Sequence, residues 1–239
     1  MAVLSVDLAY KSYSDFGIAA LDQTSGIIEC ELFDLPSAGS PSPQRLAEYL
    51  NTLCARYSIS IILLDGPQGW KATNNGLLNS RCCERALNTP AKTGEPFTVK
   101  PAAYCEFVKF SIDTYDALDA LGWRRLNKIR SSDRAPHLLI ESFPNSAWKE
   151  LDIKPLPAKR KTTMVQITNC LTELQKLFPL RLPNDVTHDQ LQAIVSGLAG
   201  LAIERDHWDA CRIAGIPPVL EAHYWREGFI VNRLRPLAP

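Results

Sequence analysis

Residues 59–67, ISIILLDGP, place an uninterrupted apolar run directly before an acidic residue and a turn. A continuous run of this length is typical of a central strand in a parallel sheet that is covered on both faces. Asp65 therefore stands at the end of that strand, and Gly66–Pro67 turns the chain away. His137–Ile140 (HLLI) has the same character and ends at Glu141. Two buried strands that each end in an acid are the core of the expected fold.

Three patterns near the N-terminus predict an antiparallel start to this sheet. They are the apolar stretches 2–9, 16–21 and 27–33. Gly26 lies in a turn between the last two, so we expect hairpins. Residues 42–43 (Ser-Pro) then open an amphipathic helix. Hairpins followed by alternating strands and helices predict a mixed α/β sheet with helices on its faces.

The rest of the chain predicts further helices and a final strand. Apolar stripes at helical spacing run through residues 164–178 and 191–201, and residues 228–232 (GFIVN) predict the last strand. Residues 66–136, between the two buried strands, are expected to form a helical elaboration. No internal repeat or low-complexity tract divides the sequence, so we expect residues 1–239 to form a single domain.

The composition is that of an ordinary globular protein. Of 239 residues, 46% are hydrophobic and 22% are charged, which excludes wholesale disorder and a coiled-coil rod. The 26 Lys and Arg residues balance 26 Asp and Glu residues, so no global field attracts nucleic acid or an anionic membrane. Any basic binding surface must therefore be local.

Cysteine usage and the first residues favour a cytoplasmic protein. The seven cysteines are irregularly spaced and include no C-x-x-C pair, which disfavours a zinc ribbon. Residues 1–11 (MAVLSVDLAYK) lack the basic start of a signal peptide. No uncharged apolar run reaches the length of about 18 residues that a spanning helix needs. We expect free thiols in a reducing cytoplasm and no membrane partner.

Acidic residues stand where the apolar strands end, at Asp7, Asp65 and Glu141. In open α/β sheets, sites form beyond the carboxyl ends of the strands, so we expect these carboxylates to converge at one edge. Asp189, in the first turn of the last long helix, is the fourth candidate. Two of the four also have a plainer explanation, Asp65 as a turn residue and Asp189 as a partner of the helix dipole.

Clustered carboxylates repel one another, and a bound divalent cation commonly neutralises this repulsion. Oxygen ligands select hard ions, so we expect Mg²⁺ or Mn²⁺. Carboxylates that hold two metal ions about 3.5–4 Å apart are a standard device for phosphodiester hydrolysis. In that device one ion activates water and the other stabilises the leaving oxygen. The four acids therefore predict a metal-dependent nuclease.

Seven short motifs along nearly the whole chain occur in the order and spacing of a known family. They are Val6-Asp7; Asp65-Gly66-Pro67 with Gly69; Arg81-Cys82-Cys83-Glu84-Arg85; Glu141-Ser142-Phe143-Pro144 with Trp148 and Leu151; Lys159-Arg160-Lys161; His188-Asp189-Gln190-Leu191-Gln192-Ala193; and Glu227-Gly228-Phe229-Ile230-Val231. In these motifs the chain resembles the domain of unknown function 429 family, a predicted nuclease family with a ribonuclease H-like fold.

The resemblance implies a ribonuclease H-like mixed sheet, three antiparallel strands followed by parallel ones, with flanking helices. It implies that the catalytic and metal-binding residues are Asp7, Asp65, Glu141 and Asp189. The last helix departs from the family pattern, because His188 replaces one acid of a pair and Gln192 replaces the Asp before Ala193. An amide can ligate a metal weakly but adds no charge, which predicts reduced activity that Gln192→Asp would raise.

The basic candidates for holding substrate phosphates are Arg81, Arg85, Lys159 and Lys161. The planar fork of an arginine suits a phosphate, and basic clusters can follow a nucleic-acid backbone. A second basic cluster runs through residues 124–134. The alternatives are surface salt bridges and solvated loops. Two tryptophans near the site loops also suggest base stacking, Trp70 more than Trp148, for which a core position is preferred.

Three functions compete. The first is a nuclease that uses Mg²⁺ or Mn²⁺ on DNA or RNA. The second is a weak or inactive relative that binds nucleic acid or a protein on the same scaffold, which the departures at His188 and Gln192 favour. The third, an ATP-dependent phosphotransferase of the actin-like relatives, needs glycine-rich phosphate loops, and the glycines after Asp65 are too sparse. Fold alone does not decide among them.

Overall fold

The computed structural model describes residues 2–35, 39–130, 136–183 and 185–236. The strands are β1 Ala2–Asp7, β2 Gly17–Thr24, β3 Ile27–Phe33, β4 Ile61–Asp65, β5 Lys92–Thr93, β6 Val99–Lys100, β7 Arg124–Arg125, β8 Leu138–Ser142, β9 Leu180–Arg181, β10 Cys211–Glu221 and β11 Tyr224–Arg233. The α-helices are α1 Pro43–Tyr57, α2 Cys82–Leu87, α3 Cys105–Ala120, α4 Pro144–Glu150, α5 Met164–Leu177 and α6 His188–Glu204.

A single large sheet has the strand order β10-β11-β8-β4-β1-β2-β3-β9, and the short β7 also pairs with β8. Strands β1, β2 and β3 are antiparallel neighbours, whereas β4, β8 and β11 continue the sheet in parallel from β1. The predicted fold class is confirmed, since three antiparallel strands are followed by parallel strands and helices flank the sheet.

Alternate residues of the central strands face opposite sides of the sheet, as the pleat of a strand requires. Val3, Leu63 and Ile140 pack into the core on the side of α4, α5 and α6. Leu4 and Leu139 pack on the other side, against α1 and α3. A side chain at a strand end therefore lies on the same side of the sheet as a core residue an even number of positions away in the same strand.

The expected strands 137–140 and 228–232 are present as β8 and part of β11, but β10 was not expected from the sequence. Gly215 and the pair Pro217–Pro218 interrupt its apolar pattern. Proline is tolerated there because β10 is an edge strand, where a missing N–H costs no ladder hydrogen bond. The register with β11 shifts between Ile216 and Val219, at the two prolines.

The segment 66–136 contains α2, the β5–β6 hairpin, α3 and β7, and its residues 131–135 lie outside the described residues. The basic stretch 124–134 was expected to be a loop, yet its first two residues form β7. Arg125 is buried there and contacts Asp116 rather than solvent. Arg134 lies outside the described residues.

No helix among the described residues is both long enough and apolar enough to cross a membrane.

Candidate functional site

The site begins with a pair of carboxyl groups at the ends of two adjacent parallel strands. Val6 of β1 is in register with Leu64 of β4, so the next residues, Asp7 and Asp65, are neighbours across the ladder. Their spacing from the core residues places both side chains on the α6 side of the sheet. Each carboxyl group affects the pKa of the other, so the two side chains lie close together.

Burial and mutual repulsion make both groups reluctant to ionise. Burial raises the pKa of Asp7 well above its ordinary value, and the charges of Asp65 and Asp189 add to the effect. Burial likewise raises the pKa of Asp65 to about 7, with a contribution from the charge of Glu141. Within the described residues, no basic side chain or N–H group hydrogen-bonds either carboxyl. Both groups therefore hold their protons more tightly than an ordinary carboxyl group does, and the charge of Lys159 offsets only part of the effect on Asp7.

Asp189 joins this pair because α6 begins directly above the strand ends. The hydroxyl of Thr187 caps the helix by accepting a hydrogen bond from the N–H of Gln190, 3.3 Å away. Gly17, which is paired with Asp7 in the sheet, leaves room for this first turn. A Cβ atom at Gly17 would lie 2.0 Å from the carbonyl oxygen of Asp189. The glycine is therefore required for the close approach of α6.

Asp189 is held by two neighbouring cationic or polar groups. The Lys159 Nζ donates to Asp189 Oδ2 at 2.5 Å, and the same nitrogen lies 2.8 Å from Asp15 Oδ1. His188 Nδ1 lies 2.8 Å from Asp189 Oδ1. Burial alone would raise the pKa of Asp189, but these hydrogen bonds outweigh it and hold the pKa below its ordinary value. Asp189 is thus ionised and paired at neutral pH.

Glu141 is near the pair but turned away from it. Its position in β8 places it on the α1 and α3 side of the sheet. There its two oxygens accept from Arg81 Nη1 at 2.7 Å and Arg81 Nη2 at 2.6 Å, and Oε2 also accepts from the N–H of Gln68. Of the four predicted acids, Asp7, Asp65 and Asp189 therefore come together. Glu141 stands beside them in a separate ion pair.

Arg81 does not offer its guanidinium to a substrate. It is 1% exposed, and its Nε donates to Glu84 Oε1 at 3.0 Å while the other two nitrogens bind Glu141. The prediction that Arg81 clamps a phosphate is corrected, because every guanidinium nitrogen already serves a buried carboxylate. Arg85 and Lys161 are exposed, and Lys159 is half-exposed beside Asp189.

Two other predicted site residues also have structural partners. The indole N–H of Trp148 donates to Gln192 Oε1 at 2.6 Å, so the amide oxygen that was expected to face a metal ion is directed at the core. The effect of Gln192→Asp on activity stays a prediction. Trp148 is fully buried, as predicted. Trp70 is 3% exposed, which corrects its assignment as a base-stacking residue.

The donor chemistry fits a single hard cation better than a pair of them. Asp7 and Asp65 present oxygen atoms that no basic side chain of the described residues binds, and Mg²⁺ and Mn²⁺ prefer oxygen ligands. Among the described residues, no group of three or more His, Cys, Asp and Glu side chains is arranged to hold a metal ion. The other two acids already have partners, since Lys159 binds Asp189 Oδ2, His188 lies at Asp189 Oδ1, and Arg81 binds both oxygens of Glu141.

A cavity of about 430 Å³ opens beside Asp65. Its walls come from the loops after β1, β4 and β8 and from the α2–α3 region, and they are largely apolar. Ser142 lines it, and the buried hydroxyl of this residue has no hydrogen-bond partner among the described atoms. Sequence reasoning missed Ser142 and the cavity. The only local signal was the position of Ser142 directly after Glu141 at a strand end.

Comparisons with known proteins give a fold likeness only. No protein-family model and no curated protein matches the chain. RuvC of Thermus thermophilus in complex with a Holliday junction substrate matches with a TM-score of 0.42 and 10% identity over 86% of this chain and 96% of RuvC. A second Thermus thermophilus RuvC structure matches with a TM-score of 0.42 and 11% identity over the same shares. Values this low carry no inference about chemistry, and membership of the domain of unknown function 429 family stays a prediction.

Proposed function

We propose that the protein is a divalent-metal-dependent hydrolase of nucleic-acid phosphodiesters, in keeping with its resemblance to the domain of unknown function 429 family. The observation that carries the proposal is the Asp7–Asp65 pair. Two neighbouring carboxyl groups whose pKa is raised by burial, and to which no basic side chain of the described residues donates a hydrogen bond, are costly to ionise. Strongly perturbed acids of this kind are characteristic of functional sites.

Asp7 and Asp65 are the residues that would hold the ion. A divalent cation there would supply charge to the phosphate and acidify an attacking water. Lys159 lies next to the pair, half-exposed, and provides a cation for a non-bridging phosphate oxygen. Asp189 keeps its negative charge and is placed by α6 close enough to raise the pKa of Asp7. Its carboxylate is the group best placed to accept a proton from water once Lys159 turns to the phosphate.

A non-catalytic binding module is the second candidate, and specific contacts favour it. The Arg81–Glu141 pair is buried and bidentate, and Lys159 occupies Asp189 at 2.5 Å. In such a module the side chains of Arg81 and Lys159 neutralise the acids, and no metal ion is needed. The two functions then differ in one measurable property, which is whether a divalent cation binds at Asp7 and Asp65.

Calorimetry with Mn²⁺ and a cleavage panel test the proposal together. The panel contains single-stranded, double-stranded and branched DNA, and RNA, with Mg²⁺ or Mn²⁺. We expect binding and cleavage in the wild type and the loss of both in Asp7→Asn and Asp65→Asn. Asp152→Asn, which removes an acid whose side chain is 86% exposed, is the matched control and should behave as the wild type. Metal binding that survives both site variants, or no cleavage of any substrate, would replace the hydrolase with the binding module.

A further inference from the structure

We propose that the cavity beside Asp65 receives one unpaired nucleotide of the substrate strand, so that the substrate is single-stranded or locally unpaired nucleic acid. The inference rests on the proposed function and deepens it by naming the substrate class. It is carried by the size of the cavity, by its aromatic walls and by the arrangement of its polar groups.

The volume suits a single nucleotide and excludes a duplex. Small-molecule pockets commonly measure about 300–1,000 Å³, and this one is about 430 Å³. A base that remains stacked and paired within a helix cannot enter a cleft of that size. A strand whose base is free can place it there while its backbone stays outside.

Aromatic rings line the cavity from separate segments. Tyr10 follows β1, Tyr104 and Phe107 lie at the start of α3, and Phe143 follows β8. Tyr10 and Phe107 contact each other with ring centroids 6.4 Å apart, and the ring of Tyr104 is 37% exposed. Stacking on such rings is tolerant of base identity, because every base has a π-face. The walls therefore favour a nucleobase without selecting a sequence.

The polar groups of the cavity match the other end of a nucleotide. Asp65 lines the cavity and contacts Asp7, so a phosphate at the acid pair lies next to the opening. Ser142 is in register with Asp65 on the neighbouring strand, and its hydroxyl is buried without a partner among the described atoms. That hydroxyl is available for a sugar or phosphate oxygen.

Lys11 supplies an exposed cation at the same cavity. Its ammonium lies 5.4 Å from the ring centre of Tyr10, and no carboxylate of the described residues forms an ion pair with it. A cation next to an aromatic wall suits the phosphate that follows a stacked base. The apolar interior and the charged opening thus reproduce the polarity of a nucleotide, with its base inside and its phosphate outside.

Fluorescence anisotropy tests this assignment with a labelled 12-nucleotide DNA strand, alone and as a duplex, in Ca²⁺ and again in EDTA. We expect the single strand to bind about tenfold more tightly than the duplex, as stacking of one base allows. Tyr104→Ala should weaken single-strand binding by about tenfold and leave duplex binding unchanged. Ala103→Trp, which fills the cavity without truncating its wall, should have the same effect. Phe97→Ala removes an exposed aromatic ring that does not line the cavity and is the matched control.

Equal binding of single strand and duplex would overturn the inference. So would wild-type affinity in both Tyr104→Ala and Ala103→Trp. These outcomes are separate from those of the proposed function, which fails when metal binding and cleavage survive in Asp7→Asn or are absent from the wild type. A single-strand preference that depends on Tyr104 in EDTA would support the cavity assignment even where no cleavage is seen.

Discussion

At the scale of single residues, the site is governed by which carboxylates have a cation and which do not. Glu141 has Arg81, and Asp189 has Lys159. Asp7 and Asp65 form no ion pair with a basic side chain of the described residues, and burial raises the pKa of both. A metal ion would relieve their repulsion, so the unpaired acids are the ones most suited to bind it.

The raised pKa of Asp65 gives stability a definite dependence on pH. An acid whose pKa is raised by folding binds more protons in the folded state, so the free energy of unfolding falls as pH rises. For Asp65 the fall runs from its unfolded pKa, about 4, to its folded pKa of about 7. In EDTA we expect the wild-type Tm to drop by roughly 3–6 °C between pH 5 and pH 8.

Asp65→Asn should remove the part of that drop that comes from Asp65, because the amide does not ionise, whereas Asp7, whose pKa burial also raises, keeps its own contribution. Differential scanning calorimetry at the two pH values measures both proteins. Added Mn²⁺ should restore the wild-type Tm at pH 8 and leave the variant unchanged. An equal pH dependence in the two proteins would mean that Asp65 is not the group responsible.

Lys159 is expected to compete with a metal ion for the site. Lys159→Gln removes a cation next to Asp189, and we expect it to tighten Mn²⁺ binding in the absence of substrate by about three- to tenfold. Lys161→Gln, an exposed lysine in the same short turn, is the matched control and should change the Kd by less than twofold. Lys159→Arg should also resemble the wild type. Weaker Mn²⁺ binding in Lys159→Gln would show that the lysine organises Asp189 rather than blocking it.

At the scale of elements, α6 packs unusually close to the sheet because glycines remove side chains from the contact. A Cβ at Gly197 would lie 2.7 Å from Leu21 Cδ1, and one at Gly200 would lie 2.4 Å from Leu63 Cδ1. Gly17 does the same from the strand side at the first turn of the helix. Together these three glycines determine how closely α6 packs on the sheet, and therefore the distance from Asp189 to Asp7.

Gly17→Ala and Gly200→Ala separate packing from site geometry. Both overfill the interface of α6 and should lower the free energy of unfolding by about 1–3 kcal/mol, as seen by urea denaturation. Only Gly17→Ala pushes on the backbone of Asp189, so only this variant should also weaken Mn²⁺ binding. Equal metal affinities in the two folded variants would show that Asp189 does not contribute to the ion site.

At the scale of the whole molecule, a buried polar network ties the far side of the sheet to the site. Glu227 in β11 is fully buried and accepts from the N–H of Ala72 at 3.1 Å and the N–H of Cys82 at 2.8 Å. These bonds hold the chain segment that leads from β4 to α2 at a point within it and at its end. Arg81 stands next to Cys82 and is thereby directed at Glu141. The network is a structural frame around the acids.

Glu141→Gln distinguishes this frame from the ion site. Arg81 would lose its bidentate carboxylate and remain buried, and breaking a buried ion pair costs about 3–5 kcal/mol. We therefore expect a Tm lower by roughly 6 °C or more, with the Mn²⁺ affinity within about threefold of the wild type. Calorimetry below the transition temperature measures the affinity. Loss of Mn²⁺ binding in the folded variant would instead place Glu141 among the ligands, as the sequence motifs implied.

Local patterns in the sequence are enough to predict the strands and the helices that carry the candidate acids. The runs before Asp65 and Glu141 are continuous and apolar, and a central strand follows from that pattern without knowledge of its neighbours. The start of α6 is likewise local, because Thr187 and Gln190 form a capping box. Asp7, Asp65 and Asp189 could be placed at element ends for this reason.

The partners of those side chains, in contrast, depend on contacts between segments that are distant in the chain. Arg81 reaches Glu141 across 60 residues, and Lys159 reaches Asp189 across 30. The cavity is likewise assembled from separate loops. Hydrophobic periodicity and residue propensity predict whether a segment forms a helix or a strand, because they arise from interactions between near neighbours in the chain. A desolvated carboxylate takes whichever cation the fold brings within reach, and that depends on strand order, on the face of the pleat and on the packing of distant segments.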